Sequence, residues 1–266
     1  MSMSTLVKGR PMDDTIEDPS APVLQIQNVS KAFGRGAQTT IALQDVSLDV
    51  YAGEFITIVG ASGCGKSTLL NLIADLDEPT SGTLEVARKT AFMFQEATLL
   101  PWLTARQNVE IALKLAKVPR SQRTARAEEL LDTVRLSGWG DKRPHELSGG
   151  MRQRVALARC LAQDAGIVLM DEPLGALDAM TRDHLHDEIE TVAREQGLTV
   201  IFVTHNMREA IRLGDRVILM GSAPGRIVYE EPIPLPHPRV MDSPEVATRA
   251  AALTARLKEQ GHTHVG

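Results

Sequence analysis

Polar and hydrophobic residues alternate in two stretches near the start of the chain, and short continuous hydrophobic runs follow later. The alternating apolar positions are Leu24, Ile26, Val46, Leu48 and Val50. This alternation predicts strands with one buried face. The continuous runs lie at 55–59, 167–170 and 200–203, separated by stretches with helical spacing. Strands without a polar face are typical of a parallel sheet covered by helices on both sides, so the sequence predicts an α/β fold.

Between about residues 96 and 147, apolar residues recur at helical spacing amid Arg, Glu and Gln, without a strand pattern. They are Ile111, Leu115, Leu130, Leu131 and Val134. Such spacing is typical of amphipathic helices. We therefore predict a helical insert at about 96–160 within the α/β domain.

The two ends of the chain differ in composition from its middle. Residues 1–21 are rich in Ser, Pro, Asp and Met without periodicity, which predicts a disordered leader. A proline-rich stretch near the other end predicts extended backbone. Its prolines are Pro232, Pro234, Pro236 and Pro238. Ser243 then predicts the N-cap of a terminal helix that ends at about Lys258. We predict one main domain at 22–231 and an extension at 232–266.

Composition and charge restrict the classes of partner. A net charge of −5 without a basic block argues against a nucleic-acid partner. No apolar run approaches the ~20 residues that span a bilayer, and the polar start of the chain lacks the apolar stretch of a signal peptide. We therefore expect the protein in the cytosol. Cys64 and Cys160 form no Cys-x-x-Cys pair, and we expect both to be reduced.

A glycine-rich sequence follows the first continuous run. Residues 60–67 match the pattern G-x-x-x-x-G-K-[ST]. The match lies between a predicted strand and a predicted helix, which the motif requires and a chance glycine-rich turn would not. Backbone N–H groups and the helix N-terminus bind phosphates in such a loop, Lys66 would neutralise the β- and γ-phosphates, and Ser67 would hold Mg²⁺. The predicted phosphate-binding residues are Gly60, Ala61, Ser62, Gly63, Cys64, Gly65, Lys66, Ser67 and Thr68.

Two acidic residues, Asp171 and Glu172, follow the second continuous run directly. Side chains at the carboxyl ends of parallel strands meet in one crevice, so we expect both carboxylates near the phosphate loop. Asp171 suits a Mg²⁺ ligand, and Glu172 suits a general base for the attacking water. Taken alone, the pair would more simply be a solvated strand end.

The stretch at 147–154, Leu-Ser-Gly-Gly-Met-Arg-Gln-Arg, resembles the signature sequence of ABC transporter ATP-binding subunits. Alone it could be a glycine turn before a helix, but it follows the phosphate loop and precedes the two acids, as in that family. Ser148 and the N–H groups at a helix start can bind a γ-phosphate from outside. The signature residues are Leu147, Ser148, Gly149, Gly150 and Met151.

The other family motifs follow in the same order, and the resemblance covers about residues 23–230. Gln95 resembles the glutamine that touches Mg²⁺ and water, Asp178 resembles the D-loop aspartate, and His205 resembles the switch histidine. Phe33 is similar in position to an aromatic residue that stacks on adenine, although a lone Phe is more often part of a core.

The resemblance implies a P-loop NTPase cassette with a mostly parallel sheet core, an antiparallel β subdomain and a helical insert. It also implies ATP hydrolysis with Mg²⁺, with Glu172, His205 and Gln95 as catalytic residues and Ser67, Gln95 and Asp171 around the metal. Two copies would pair head to tail as a homodimer, each ATP lying between one phosphate loop and the other signature. The implied partners are two membrane permease subunits and a solute-binding protein, at the cytoplasmic side of the cell membrane.

The segment at 96–104 indicates a subfamily. Its Leu-Leu-Pro-Trp at 99–102 is similar to a sequence in importers of nitrate, sulfonate and taurine, as is Ala-Pro-Gly-Arg at 223–226. Aliphatic sulfonate is the preferred solute on overall resemblance, and nitrate, taurine or another small solute stays open. Trp102 could receive a helix of a membrane subunit, or it could pack in the core.

Other classes fit the sequence less well. A non-transport ABC ATPase usually has two cassettes or long inserts, an exporter motor is commonly fused to membrane spans, and a kinase or GTPase would not need the signature. Three positions depart from the family pattern without removing a catalytic group, namely Asp75, Met151 and Asn206. His184 and His186 would point in different directions on a helix, which disfavours a metal site.

Overall fold

The computed structural model describes residues 21–34 and 36–262, and there the chain forms nine strands and seven α-helices. The strands are β1 (Leu24–Phe33), β2 (Thr40–Val50), β3 (Phe55–Gly60), β4 (Ser81–Val86), β5 (Thr90–Met93), β6 (Ile167–Asp171), β7 (Thr199–Thr204), β8 (Arg216–Gly221) and β9 (Arg226–Pro232). The helices are α1 (Lys66–Ile73), α2 (Ala105–Leu115), α3 (Arg120–Thr133), α4 (Gly149–Leu161), α5 (Ala179–Glu195), α6 (Met207–Leu213) and α7 (Pro244–His262).

The continuous apolar runs form the centre of a six-stranded sheet with the order β5-β6-β7-β3-β8-β9. Its first five strands are parallel, and β9 pairs antiparallel with β8. Every residue of β3 and β7 is buried, because helices cover both faces of the sheet. The predicted parallel α/β core is confirmed.

The alternating stretches form a second, antiparallel sheet with the order β2-β1-β4. Leu24 and Ile26 on β1 are buried together with Leu48 and Val50 on β2, and polar neighbours face outward. One face of this sheet packs against α1 and one face of the large sheet in a shared core, to which β3, β6, β7 and β8 contribute residues. The strand pattern predicted from alternation is therefore confirmed.

Helices α2, α3 and α4 lie between β5 and β6, in the segment predicted to be helical. Thr104 begins α2 with a capping box, since its hydroxyl accepts from the Gln107 N–H and the Gln107 side chain bonds back to the Thr104 N–H. Leu130 and Leu131 are buried in the core that these helices share with β5 and β6. Ile111 and Leu115 have the spacing of a buried face but are exposed.

The C-terminal extension packs against α6 and the large sheet through α7. Ser243 caps α7 as predicted, because its hydroxyl accepts from the Val246 N–H at 3.3 Å, but the helix continues four residues beyond the predicted end, to His262. The buried Arg239 guanidinium donates to four carbonyl groups. These belong to Ile211, Gly214, Ile233 and Leu235, at 2.5, 2.6, 2.9 and 2.8 Å.

Two sequence predictions have separate outcomes. The predicted leader at 1–21 lies outside the described residues except for residue 21. Across residues 21–34 and 36–262, no helix combines the length and the apolar character that crossing a membrane requires. The bounds of the main domain and of the insert stay predictions.

Both cysteines are buried free thiols, Cys64 before α1 and Cys160 within α4. Burial raises the pKa of the Cys160 thiol to about 12, from an ordinary value of 9.0. At pH 8 its thiolate should be about 10³-fold scarcer than that of an unperturbed cysteine. We expect iodoacetamide to label Cys160 very slowly in native protein and rapidly in urea, as measured by peptide mass spectrometry. Equal labelling rates in the two conditions would contradict this burial.

Candidate functional site

The phosphate loop connects the buried strand β3 to α1 with a backbone that depends on glycine. Gly65 has a φ of +96° just before α1. A Cβ at this position would lie 2.9 Å from the Ala42 carbonyl oxygen and 2.6 Å from Leu43 Cδ2. A side chain is therefore excluded by both backbone conformation and space. The loop packs directly against β2, and its N–H groups lie at the start of α1.

Lys66 begins α1, and its side chain is only 5% exposed. Its ammonium group donates to the carbonyl groups of Gly60 at 2.9 Å and Ala61 at 3.1 Å. The Glu172 carboxylate lies 3.8 Å away. A buried ammonium needs such partners, so the charge is already held at the loop where phosphates would bind.

Glu172 connects a predicted phosphate-binding residue, Lys66, with a predicted catalytic residue, His205. Its Oε1 forms the ion pair with Lys66, and its Oε2 lies 2.9 Å from His205 Nδ1. The Glu172 backbone has a φ of +44°, a strained conformation for a residue with a side chain. Its N–H donates to the Val203 carbonyl at 3.0 Å, which fixes the residue to the end of β7. Lys66 and His205, which are 139 positions apart in sequence, therefore meet at one carboxylate.

Asp171, the last residue of β6, accepts a hydrogen bond from the Ser67 hydroxyl on α1. Burial raises the pKa of the Asp171 carboxyl, while the Ser67 hydrogen bond opposes that rise. A half-buried carboxylate beside a hydroxyl provides the hard oxygen donors that Mg²⁺ prefers. Ser67 and Asp171, two of the three residues that the sequence assigns to the metal, therefore have the chemistry that Mg²⁺ needs.

Gln95 follows β5 and lies near the same carboxylate. Its Nε2 is 3.5 Å, and Glu172 Oε2 is 4.0 Å, from the point where a Cβ on Gly175 would stand. The Gln95 carbonyl accepts from the buried Gln153 amide of α4 at 2.7 Å. The loop that carries Gln95 is therefore hydrogen-bonded to α4, the helix that begins with the signature, and it lies near Glu172.

The signature residues and Asp178 lie together at the starts of two helices. Ser148 caps α4 by accepting from the Met151 N–H at 3.2 Å, and Asp178 caps α5 by accepting from the Thr181 N–H at 3.0 Å. A Cβ on Gly150 would lie 2.4 Å from Thr181 Cγ2, so the two helix starts are in direct contact. In the described part of the chain, no hydrogen bond or ion pair joins residues 147–151 to residues 60–68.

Two aromatic residues that could have belonged to the core are exposed. Phe33, at the end of β1, is 45% exposed, with Lys31 Nζ 4.9 Å from its ring centre. Trp102 is 67% exposed. The loop that presents Trp102 is held by the buried Asn108, which accepts from the Leu100 N–H at 2.8 Å and donates to the Thr104 carbonyl at 2.9 Å. The core interpretation is wrong for both aromatic residues.

Two departures from the family pattern have local explanations. Asp75 has a φ of +57°, a conformation that glycine adopts without strain, so the family preference for glycine there is conformational. Asn206 caps α6 by accepting from the N–H groups of Arg208 at 3.0 Å and Glu209 at 3.4 Å. Asparagine caps a helix as well as aspartate does, so this substitution preserves the start of α6.

Arg182 in α5 was not predicted as a site residue from the sequence. Its guanidinium donates to the carbonyl groups of Leu174 at 3.2 Å and Leu177 at 2.7 Å. These bonds hold the loop that connects Glu172 with Asp178. A long cation in the first turn of a helix that follows a functional loop was the available signal.

The sequence profile of the ABC transporter family matches residues 43–175. The aliphatic sulfonates import ATP-binding protein SsuB of Bacillus licheniformis is 45% identical over 233 residues, covering 85% of this chain and 90% of that protein. The taurine import ATP-binding protein TauB of Roseobacter denitrificans is 43% identical over 220 residues, covering 79% and 82%. A dimeric structure of MJ0796, a bacterial ABC transporter cassette, is similar with a TM-score of 0.71 and 36% identity, covering 79% of this chain and 98% of that one.

Proposed function

The chain belongs to the ABC transporter family as an ATP-hydrolysing subunit, and on that premise we propose that it energises the import of aliphatic sulfonates. The geometry around Glu172 carries the hydrolytic part of the proposal, since one carboxylate contacts both Lys66 and His205. The similarity to the sulfonate relative over 85% of the chain supports the choice of solute.

In the proposed reaction, a water oxygen attacks the γ-phosphorus of ATP, the bond to the β–γ bridging oxygen breaks, and ADP leaves. Glu172 accepts the proton of that water as general base. His205 orients the Glu172 carboxylate through its 2.9 Å contact, and Gln95 lies beside them. Lys66 exchanges the carbonyl groups of Gly60 and Ala61 for phosphate oxygens, a change of partners that leaves its charge in place.

The metal cofactor of this reaction would be Mg²⁺, held by Ser67, Asp171 and Gln95. The hydroxyl–carboxylate pair of Ser67 and Asp171 supports this choice. Bound with the nucleotide, Mg²⁺ would neutralise charge on the phosphate oxygens. Ser67 and Asp171 approach each other from α1 and β6, so the nucleotide loop and the acidic strand would share one ligand set.

A homodimer follows from where the signature lies. Residues 147–151 and Asp178 are joined to each other at the starts of α4 and α5 rather than to the phosphate loop of the same chain. We infer that they contact ATP on a second copy, so that each site needs both copies. The dimeric structure of the MJ0796 cassette supports this arrangement.

The remaining partners would be two membrane permease subunits and a solute-binding protein, with this chain attached to the cytoplasmic side of the cell membrane. The exposed Trp102 supports a docking role, because the buried Asn108 gives its loop a fixed conformation while the indole faces outward. A rigid aromatic residue of this kind is a typical anchor for a helix of a partner.

Uptake by whole cells tests the transport proposal. In source cells that carry wild-type protein or Glu172→Gln, we expect the variant to abolish uptake of labelled alkanesulfonate and to leave taurine and nitrate uptake unchanged. The control is Glu195→Gln, which removes an exposed carboxylate at the end of α5. Loss of taurine or nitrate uptake alone would assign a different solute. Unchanged uptake of all three solutes would contradict the subfamily assignment.

A further inference from the structure

A buried polar network lies behind the switch histidine, and the hydrolytic roles proposed above do not use it. It consists of His186 on α5, Thr204 at the end of β7, and Glu209 and Arg212 on α6. All four residues are buried, and His186 has no exposed surface. We call these four residues the His186 network. Buried polar groups of this kind are costly unless each has a partner, so their arrangement is informative.

The hydrogen bonds define the state of the His186 ring. Arg212 Nη1 lies 3.2 Å from His186 Nδ1, and Glu209 Oε1 lies 2.5 Å from His186 Nε2. A guanidinium group can only donate, so Nδ1 must accept. The ring is therefore neutral with its hydrogen on Nε2, which donates to Glu209. One imidazole thus connects a cation on one side to a carboxylate on the other.

Glu209 also links His186 to the backbone around His205. Its second oxygen accepts from the Thr204 hydroxyl. The Thr204 oxygen in turn accepts from the Asn206 N–H at 3.0 Å. The residues on both sides of His205 are therefore held through Glu209. His205 itself is 66% exposed, so its ring position depends on this backbone and on its bond to Glu172.

The same face of α5 also contacts the loop that follows Glu172, the partner of His205. Arg182 is four residues before His186, which places both on one face of the helix. Arg182 donates to the Leu174 and Leu177 carbonyl groups in the loop after Glu172. A small cavity lies between Arg182 and the His186 network. It is lined by Glu172, Arg182 and His205, together with Thr204 and Glu209. Helix α5 therefore contacts both of the segments that carry the Glu172–His205 pair.

We propose that His186 is a positioning residue for ATP hydrolysis, which sets the place of His205 relative to Glu172 from helix α5. The proposal rests on the proposed roles of Glu172 and His205 and adds a residue that does not touch the substrate. It predicts that loss of His186 affects turnover through His205. A residue that only stabilised the fold would lower the melting temperature without acting through His205.

Two variants of His186 separate these roles in the purified full-length protein. His186→Leu removes both hydrogen bonds, whereas His186→Gln keeps one donor for Glu209 and one acceptor for Arg212. We expect Leu to lower kcat by about 10-fold or more with KM for ATP changed by less than about twofold, since a misplaced group affects the chemical step. We expect Gln to retain kcat within about threefold. His184→Leu, an exposed position on the same helix, is the matched control and should match wild type.

Two further measurements test whether His186 acts through His205. We expect His186→Leu to move the ¹⁵N resonances of the His205 imidazole, and to change kcat by less than about twofold in a His205→Ala background. Equal losses in both backgrounds, an unchanged His205 signal, or a Gln variant as impaired as Leu would each overturn the proposal.

Other results remain decisive. If His205→Ala alone leaves kcat unchanged, the proposed role of His205 is wrong, and the ¹⁵N signal still decides whether His186 fixes that ring. If His186→Leu does not fold, Thr204→Val breaks the network at its other end with a side chain of the same shape. The same two readouts, with the same expected outcomes, then apply to Thr204→Val.

Discussion

Glu172→Gln will lower the rate of ATP hydrolysis by about 10²–10⁴-fold, the range that a positioned general base contributes. Glutamine has the shape of glutamate but accepts a proton poorly. The ring of His205, now 2.9 Å from Glu172 Oε2, can bond an amide instead of a carboxylate. ATP binding should persist, because Lys66 and the phosphate loop are unchanged and one negative charge near the γ-phosphate is removed. The variant should therefore accumulate as an ATP-bound dimer.

Steady-state phosphate release gives kcat for this comparison, and size-exclusion chromatography with ATP gives the dimer fraction. Glu195→Gln controls for the loss of one carboxylate and should hydrolyse ATP as wild type does. A Glu172→Gln protein with kcat within about threefold of wild type would remove Glu172 from the role of base. A slow variant that stays monomeric with ATP would instead contradict the proposed dimer.

Lys66→Ala will weaken ATP binding by about 100-fold or more. A charge-assisted hydrogen bond contributes about 1.5–3 kcal/mol, and each 1.4 kcal/mol is about tenfold in Kd, so two lost phosphate contacts exceed this factor. The loss should be large because Lys66 is nearly buried, where water screens its charge little. The variant also leaves Glu172 without its cation, which adds repulsion toward the γ-phosphate.

Anisotropy titration with a fluorescent ATP analogue measures this change in Kd. Lys89→Ala is the control, since Lys89 is an exposed lysine whose ammonium donates to the Gln163 carbonyl. A Kd for Lys66→Ala within about threefold of wild type would mean that the backbone of the loop binds ATP without the ammonium. Together the two variants separate binding from turnover, because Glu172→Gln keeps the first and loses the second.

The large sheet could be predicted because burial on both faces removes polar residues from its central strands. Strands β3, β6 and β7 are continuous apolar runs for that reason. Strand β4 was missed, since its exposure alternates weakly and Gly82, with a φ of +87°, interrupts the strand pattern. Ile111 and Leu115 have helical spacing, but no element within residues 21–34 and 36–262 buries them. Periodicity alone does not identify the face that becomes buried.

Most of the predicted site residues belong to short contiguous motifs, and these are readable because neighbouring backbone groups must act together. Asp171 and Glu172 are adjacent, and the Lys66 loop needs glycine at a fixed place. The His186 network has no such pattern, because its members come from β7, α5 and α6. His184 and His186 differ by two positions and look equivalent in sequence, yet only folding buries one and exposes the other. Contacts between distant segments supply that difference.

Arg239 gives the proline-rich extension a part in the folding of the whole catalytic domain. Its guanidinium is a donor for the Ile211 and Gly214 carbonyl groups at the end of α6. A fragment that stopped at residue 231, where composition changes, would leave these carbonyls without that donor and uncover the face of α6 that α7 packs against. Glu209 also lies on α6, so unfolding at the end of this helix would affect the residues around His205. We therefore expect a fragment that ends at residue 231 to be less stable and less active than one that includes residues 232–262.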